Sequence, residues 1–470
     1  MSRSGQGPAP SYARRDLLRT LPLLGLAYCG PPVRGAAVDP WQQADEIVAR
    51  IVAPKFPARR FRITDFGAVN DGKTLATAAF RDAIAACHTA GGGLVEVPPG
   101  AYLTGAIHLR SNVNLHLLED AVIRFSTQPE HYLPAVFTRF EGVEYFGYSP
   151  LIYAYKQQNI AVTGRGILDG QASEATWWDW AKRARSAEAG AKSSRDALFE
   201  SGEAGVDVAL RRFSAGHFLR PPLFQAYRCR NVLIEDVTVH RSPFWLLHPV
   251  LSESVTVRGV HLHSKGPNSD GCDPESCRDV LIENCVFDTG DDCIAIKSGR
   301  NNDGRRLAVP AENIVIRNCH MQAGHGGVVV GSEVSGGVRN VYADNNVMSS
   351  PDLERGIRIK TNAVRGGVVE NIYVRSTTIG EVQEAIVVDF YYEEGEAGKY
   401  DPVVRNIEIR DMICQHAKKA FSIRGFGRAP IRDLRLIRVV IKRADEIGPI
   451  EHVDRLDLDA VTINNEPFRR

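Results

Sequence analysis

The chain has 470 residues, a length that fits one large domain or two to three ordinary ones. Its apolar content of 44% is typical of globular proteins and excludes wholesale disorder. The formal net charge at pH 7 is only +1, so no strongly basic surface is predicted and nucleic acid is excluded as the expected partner.

The first 37 residues have the pattern of an export signal. Arg14 and Arg15 precede a short apolar run over residues 17–27, and small residues follow at 35–37. This order is typical of secretory signals rather than membrane spans, and the paired arginines indicate the twin-arginine route. We therefore expect soluble export to the periplasm or outside the cell. Residues 1–37 contain five arginines and one aspartate, a charge of +4, which leaves −3 for the remainder.

Nine cysteines occur in the chain, without metal-ligand spacing to histidine. Cys29 lies in the export signal and would suggest a lipid anchor, but the bulky Tyr28 before it argues against one. Cys272 and Cys277 are close enough for a disulfide in an oxidising compartment. Buried free thiols are the equally weighted alternative.

Helical patterns come before the β-rich part of the chain. Residues 38–60 predict a lead-in segment with a helix from Trp41 to Val52. Residues 76–90 predict an amphipathic helix, because apolar side chains recur there at helical spacing. A single amphipathic helix ahead of a β-rich chain is well suited to capping an open end.

A short β-strand signature then repeats at intervals of 22 to 35 residues. Each unit starts with a polar residue and continues with alternating apolar ones. The starting positions are Asn231, Ser254, Asp279, Asn313, Asn340, Asn371, Asn406, Asp433 and Arg455, with Asn159 as an earlier member. Repeats of this length with short strands predict a β-solenoid. One solenoid domain is expected over residues 61–470, with an insertion at about 173–217 that has helix-forming composition.

A second regularity follows five residues after the starting positions. Asn284, Asn318 and Asn345 share this position and predict a ladder of stacked amides. Cys285 and Cys319 occupy the next position and are expected to face the interior.

The same register places charged residues of consecutive repeats in one column. Asp270, the pair Asp291 and Asp292, and His325 fall at similar positions, with two cations on the next repeat. Stacked strands lie about 4.8 Å apart, so these side chains should share one face. Crowded carboxylates raise at least one pKa, which suits acid–base chemistry on a glycosidic bond. A solvated acidic turn or a Ca²⁺ loop is the alternative for an isolated Asp pair.

Four motifs in this column resemble those of the polygalacturonase family of glycoside hydrolases, family twenty-eight. They are Asn268-Ser269-Asp270, Asp291-Asp292, Gly324-His325-Gly326 and Arg358-Ile359-Lys360, where the family has N-T-D, D-D, G-H-G and R-I-K. Only Ser269 departs from them, and mildly. The resemblance implies an all-β fold, a single-stranded right-handed parallel β-helix of the pectin-lyase type, with an N-terminal capping helix. It also implies hydrolysis of α-1,4 links between galacturonate units with inversion, and no cofactor or metal.

The resemblance implies a role for each motif residue. Asp291 would be the general acid, Asp270 and Asp292 would hold and deprotonate the attacking water, and His325 would tune the acid. The two carboxyl groups of an inverting pair stand roughly 6.5–9.5 Å apart to admit that water. The predicted substrate contacts are Arg358, Lys360, Asn268, Tyr391 and Glu333.

Several alternatives accompany this interpretation. Arg358 and Lys360 alternate around Ile359 and should face one side, where they would bind a sugar carboxylate or merely balance the aspartates. The insertion at 173–217 predicts an exo-acting enzyme if it closes one end of the cleft. A calcium-dependent pectate lyase and a non-catalytic carbohydrate-binding β-helix are the competing functions. The expected partner is a pectic polysaccharide or oligogalacturonide, bound by a monomer without a membrane span.

Overall fold

The chain winds into stacked coils in a computed structural model that describes residues 39–187, 192–349 and 351–470. The export signal predicted at residues 1–37 lies outside the described residues. Pro40–Arg470 forms one compact unit. None of the described helices combines the length and the apolar character that crossing a membrane requires.

Three parallel ladders of strands run along the coils, and each strand pairs with its equivalents one coil earlier and one coil later. The first ladder contains Arg60–Arg62, Gly93–Val97, Val113–Leu117, Gln158–Gly164, Arg230–Glu235, Glu253–Arg258, Arg278–Glu283, Ala311–Arg317, Val338–Asp344, Val368–Arg375, the first part of Val403–Arg424, Ile431–Ile441 and Val453–Asp459. The second contains Asp71–Leu75, Gly100–Thr104, Ala121–Phe125, Ile167–Asp169, Thr238–His240, His261–Ser264, Val286–Thr289, His320–Ala323, Val347–Met348, the first part of Thr378–Asp389 and Thr462–Ile463. The third contains Ile107–His108, Ile152–Tyr155, Phe224–Tyr227, Ile294–Ile296, Val328–Val330, Arg355–Lys360, the last parts of Thr378–Asp389 and Val403–Arg424, and Ile450–Glu451. This architecture confirms the predicted all-β parallel β-helix.

The coils turn at polar residues whose backbone is left-handed. All ten predicted repeat positions, from Asn159 to Arg455, have φ between 52° and 62°. Asn and Asp tolerate this conformation better than other side chains that carry a Cβ, which explains why the repeat begins with a polar residue. The predicted amide ladder is present between Asn345 and Asn318 (2.8 Å). A longer ladder passes through the repeat positions themselves, where Asn340 donates to Asn313 at 3.0 Å.

Aliphatic side chains fill the interior of the coils along their whole length. Cys285 and Cys319 are buried there, as their shared position predicts. The eight cysteines of the described chain are all buried free thiols. The predicted alternative of a Cys272–Cys277 disulfide is therefore wrong, and burial accounts for both residues.

Helices cover parts of this solenoid. Thr77–Thr89 joins the hydrophobic core at the N-terminal coil, as expected of a cap. Pro40–Arg50 instead lies on the outer surface of the first ladder, where Trp41 meets Tyr342 edge to face. The remaining α-helices are Trp180–Arg183, Ser194–Glu203 and Asn301–Leu307, and the 3₁₀ helices are Ile63–Phe66, Pro129–Tyr132, Trp177–Asp179, Val208–Leu210 and Gly395–Ala397.

The described part of the insertion folds against a small sheet beside the third ladder. Val136–Phe140 and Val143–Gly147 form an antiparallel hairpin, and Arg212–Phe213 pairs with its second strand. Leu198, in the insertion, packs into a hydrophobic cluster with this hairpin.

Two further strands are Ala444–Glu446 and Glu466–Pro467.

Candidate active site

Three aspartates converge at the third ladder. One carboxylate oxygen from each of Asp270, Asp291 and Asp292 lies within 4.8 Å of the others. The parallel register brings them together, since the amide of Gly271 donates to the carbonyl of Asp292 at 3.0 Å. The structure therefore places the predicted carboxylates in one cluster. Their nearest oxygens are closer than the roughly 6.5–9.5 Å expected of an inverting pair, because the three residues lie on directly paired coils.

His325 stacks on Asp291 from the next coil. Its amide donates to the Asp291 carbonyl (3.1 Å), and its Nδ1 lies 2.9 Å from Asp291 Oδ1. The same oxygen accepts the amide hydrogen of Asp292 at 2.9 Å. The hydrogen bond to Asp291 raises the pKa of His325 to about 8, so the half-exposed imidazole is a cation at neutral pH.

Arg358 and Lys360 face the same side of their strand, with Ile359 in the core between them. Lys360 Nζ lies 2.7 Å from Asp292 Oδ2, and Arg358 Nη1 lies 3.4 Å from Oδ1. Both cations reach across one intervening coil, which carries Gly326 at this point. A Cβ on Gly326 would stand 2.5 Å from Val329 Cγ2 and 3.1 Å from Asp292 Oδ1, so a side chain here would press on both residues.

Lys297 is a site residue to which the sequence analysis assigned no role. Its Nζ lies 3.4 Å from Asp270 Oδ2 and 3.4 Å from Glu333 Oε2, over the ring of Trp245 at 4.4 Å. The alternation in Ile294-Ala295-Ile296-Lys297 could have revealed it, because that alternation turns Lys297 out of the core as in Arg358-Ile359-Lys360. Its ammonium favours the ionised form of Asp270 and so opposes the effect of burial on that carboxyl's pKa.

Glu333 lines the cavity as predicted, but its two oxygens already have cationic partners. Lys297 holds one, and Arg300 Nη1 lies 3.3 Å from the other. Burial alone would raise the pKa of Glu333, but these cations outweigh it and hold the pKa below its usual value. Glu333 therefore anchors the cations of the site.

The aspartates differ in proton affinity. Burial raises the pKa of Asp270 well above its usual value, and the charge of Asp291 raises it further. Burial also acts to raise the pKa of Asp291, but the His325 hydrogen bond and the Lys360 charge lower it to about 2. The expected rise of one carboxyl pKa is present in the structure. It falls on Asp270 and on the neighbouring buried Asp273, not on the expected acid Asp291.

The same three carboxylates supply oxygens that a divalent cation could bridge. Lys360 already neutralises Asp292, and Lys297 lies beside Asp270. A dedicated cation site would not hold two ammonium groups against its ligands, because their charges repel the cation. The donor set therefore fits proton transfer better than Ca²⁺ binding.

A cavity opens over the cluster. Asn268 lines it, held by Arg220 Nη2 at 2.7 Å from its Oδ1. Its other lining residues are Glu141, Arg185, Arg195, Trp245, Asp270, Asp291, Lys297, Ser332, Glu333, Lys360, Tyr392 and Glu393. Arg185 and Arg195 come from the insertion, which therefore forms part of the cavity wall.

The prediction for Tyr391 needs correction. Its hydroxyl donates to Glu396 at 2.9 Å and its ring packs edge-on against Phe426, whereas Tyr392 lines the cavity. The strand ends at Asp389, so the alternation that would carry Tyr391 to the cavity stops before it.

The wall is tied to the aspartates by a chain of ion pairs. Arg195 binds Glu141 through two hydrogen bonds of 3.0 and 2.6 Å. Arg300 lies 3.6 Å from Glu141 and 3.3 Å from Glu333, which in turn holds Lys297. The insertion is thus fixed to the same charges that surround Asp270.

At the other end, a groove continues across the C-terminal coils. Lys360 and Tyr392 belong to both the cavity and the groove. The groove's cations are Arg355, Arg358, Lys360, Lys419 and Arg424, against the carboxylates Glu384 and Asp389. The excess of positive charge suits a chain of anionic groups.

Known polygalacturonases are similar to this protein over most of its chain. A profile of Glycosyl hydrolases family 28 matches residues 214–425, and one of Rhamnogalacturonase A/epimerase, pectate lyase-like, matches residues 61–116. A probable polygalacturonase of Vitis vinifera is 31% identical over 400 residues, 81% of this chain and 74% of that protein. An exo-poly-alpha-D-galacturonosidase of Dickeya chrysanthemi is 28% identical over 384 residues, 74% of this chain and 62% of that protein. The crystal structure of a hyperthermoactive exopolygalacturonase from Thermotoga maritima has 42% identity and a TM-score of 0.86, covering 91% of this chain and 97% of that chain.

Proposed function

The chain belongs to family 28 of the glycosyl hydrolases, and on this premise we propose that it hydrolyses α-1,4 links of polygalacturonate from one end of the polymer. One observation carries the proposal. An acidic cavity that is lined in part by the insertion meets a cationic groove at Lys360 and Tyr392. Such a site accepts a chain end in the cavity and holds the rest of the polyanion in the groove.

We propose for the cluster the catalytic roles that the family resemblance implies. Asp291 protonates the leaving oxygen, while Asp270 and Asp292 hold the attacking water and take its proton. The water attacks the anomeric carbon as the bond to the leaving sugar breaks, so the configuration inverts. His325 supports Asp291 from the next coil, and Arg358 and Lys360 supply positive charge beside the scissile bond.

In the free protein burial favours the protonated form of Asp270, whereas the reaction needs Asp270 as a base and Asp291 as an acid. The proton therefore has to move from Asp270 to Asp291 as substrate binds. A galacturonate carboxylate entering the cavity adds a negative charge and displaces water. Both changes raise the pKa of Asp291 and favour its protonation. Because the carboxylates interact strongly, they titrate as a pair rather than singly.

Exo action is tested by product analysis on polygalacturonate. We expect one short product from the first minutes of reaction, with slow loss of viscosity. A ladder of intermediate oligomers and a rapid fall in viscosity would show an open cleft and contradict the proposal. Asp291→Asn protein serves as the inactive control.

The same assay separates a hydrolase from a calcium-dependent lyase. Hydrolysis should proceed in the presence of a chelator and yield no ultraviolet-absorbing unsaturated sugar. Activity that disappears with chelator and returns with Ca²⁺ would favour the lyase. A protein that binds oligomers without releasing reducing ends would be a non-catalytic binder.

We also propose that the protein is exported and acts as a monomer. An exported monomer in the periplasm or medium fits the charge and apolar pattern of residues 1–37 and a polymeric substrate. Cell fractionation with the wild-type chain and with Arg14 and Arg15 changed to lysine tests the route, and light scattering measures the mass. Retention of the wild type in the cytoplasm would exclude export.

A further inference from the structure

The insertion contributes two arginines to the catalytic cavity, and they differ in what they contact. Arg195 is engaged by Glu141 through two hydrogen bonds. Arg185 is exposed and lines the same cavity as Asp270 and Asp291. No salt bridge joins the Arg185 side chain to any acid of the described chain.

The other cations of the cavity lining are already paired. Lys297 lies beside Asp270 and Glu333, and Lys360 lies 2.7 Å from Asp292. Arg185 is therefore the cation of this lining whose guanidinium stays available to an anionic ligand, within the part of the chain that the structure describes.

A uronate entering this cavity needs such a cation. The lining contains five carboxylates, those of Glu141, Asp270, Asp291, Glu333 and Glu393. A sugar carboxylate placed among them without a cationic partner would be repelled by their negative charges and would also lose its hydration. Both effects disfavour binding. Recognition at the closed end therefore requires an unpaired positive group there.

The position of Arg185 is fixed by backbone contacts. Its amide donates to the carbonyl of Lys182 at 3.1 Å. The preceding residue, Ala184, is buried and accepts the amide hydrogen of Arg195 at 3.0 Å. The guanidinium is thus carried by an anchored turn, and its side chain can adjust to a ligand.

We infer that Arg185 binds the carboxylate of the terminal galacturonate unit and makes the enzyme select an acidic unit at the released end. The inference rests on the proposed exo action. A guanidinium can grip a carboxylate with two parallel hydrogen bonds, which distinguishes an acid from its methyl ester. Arg185 is then a specificity-determining residue, separate from the aspartates that perform the hydrolysis.

The test uses digalacturonate and its methyl ester on the released unit. Arg185→Ala should lower kcat/KM on the free acid by about 10- to 100-fold, the loss expected for a hydrogen bond to a charged group. The methyl ester should be hydrolysed at the wild-type rate, so the preference for the acid shrinks by the same factor. Arg185→Lys keeps the positive charge but cannot form two parallel hydrogen bonds, so its kcat/KM on the free acid should lie between those of the wild type and Arg185→Ala.

Lys182→Ala is the matched control, because Lys182 is an exposed cation of the same insertion that does not line the cavity. It should leave both substrates unaffected. An unchanged acid-to-ester ratio in folded Arg185→Ala protein would overturn the inference while leaving exo action intact. Random internal cleavage by the wild type would instead overturn the exo action on which the inference depends.

Discussion

Two neighbouring aspartates have opposite effects on stability. Asp270 has a raised pKa, because burial and the charge of Asp291 disfavour its ionised form. Asp291 has a lowered pKa of about 2, because His325 and Lys360 favour its ionised form over the effect of burial. Ionised Asp270 therefore destabilises the fold, whereas ionised Asp291 stabilises it.

Replacing each by asparagine should separate catalysis from stability. Both variants should lose turnover, by 10²–10⁴-fold for general acid–base help alone. At pH 7, Asp270→Asn should melt at a higher temperature than the wild type and Asp291→Asn at a lower one. Thermal denaturation and initial rates on trigalacturonate measure the two effects.

The two substitutions should change stability with opposite signs, and each effect should depend on pH. The gain from Asp270→Asn should be absent below about pH 4, where the unfolded carboxyl is also protonated, and should grow as pH rises. The loss from Asp291→Asn should be present above that pH and fade as pH falls toward 2. Equal shifts in melting temperature for both variants would contradict the assignment of the proton to Asp270.

His325 should lose its contribution to the stability of the fold at alkaline pH. Its pKa of about 8 exceeds the unfolded value near 6.5, so its contribution to stability is complete below about pH 6.5 and is lost as pH rises through 8. Because the side chain is half exposed, the effect should stay below about 1 kcal/mol. Urea unfolding of wild type and His325→Ala at pH 6 and pH 9 should show a difference only at pH 6.

At the scale of elements, Gly326 controls how the third ladder assembles the site. It leaves open the space through which Arg358 and Lys360 cross one coil to reach Asp292. The neighbouring Val329 is also close, since a Cβ on Gly326 would lie 2.5 Å from its Cγ2.

Gly326→Ala should therefore disable the site more than it harms the fold. The added methyl group clashes with Val329 Cγ2 and crowds Asp292 Oδ1, whereas Arg358 Cδ stays in ordinary contact. We expect the shift of Asp292 to lower activity by about 100-fold, as small misplacements of catalytic groups can cause. Val329→Ala in the same background removes the other clash and should restore stability but not activity. A fully active Gly326→Ala enzyme would show that the cations need not reach Asp292.

The sequence could predict elements that obey the coil register and missed those that leave it. Arg358-Ile359-Lys360 alternates within a regular strand, so its geometry follows from period two. Tyr391 lies beyond the strand end at Asp389, where that period no longer applies. The wall residues Arg185 and Arg195 lie in an insertion, and no repeat relates them to the aspartates.

At the scale of the whole molecule, recognition of a polyanion has to be local. The chain beyond residue 37 has a net charge of −3, which gives no long-range attraction to an acidic polymer. The cationic groove supplies that attraction over a few coils only. Lys419 and Arg424 are the groove cations that come last in the sequence. Arg424 is paired with Asp389 at 2.9 Å, so Lys419 is the one to test.

Lys419→Ala should weaken binding of long substrates selectively. We expect KM for polygalacturonate to rise about two- to fivefold, the range for a partly exposed charge contact. KM for digalacturonate should not change, because a short substrate is held in the cavity. Lys442→Ala, outside the groove, is the control, and equal changes for both substrates would place Lys419 outside the polymer path.

The buried thiols have a consequence for how the protein matures. Burial raises the pKa of Cys277 to about 12, and Cys229 and Cys414 behave alike, so at neutral pH these sulfurs are protonated and unreactive. Because the cysteines of the described chain are free thiols, its packing includes no disulfide that an oxidation step would have to form. The coils can therefore close under reducing conditions, and the finished protein should keep its structure under oxidising ones.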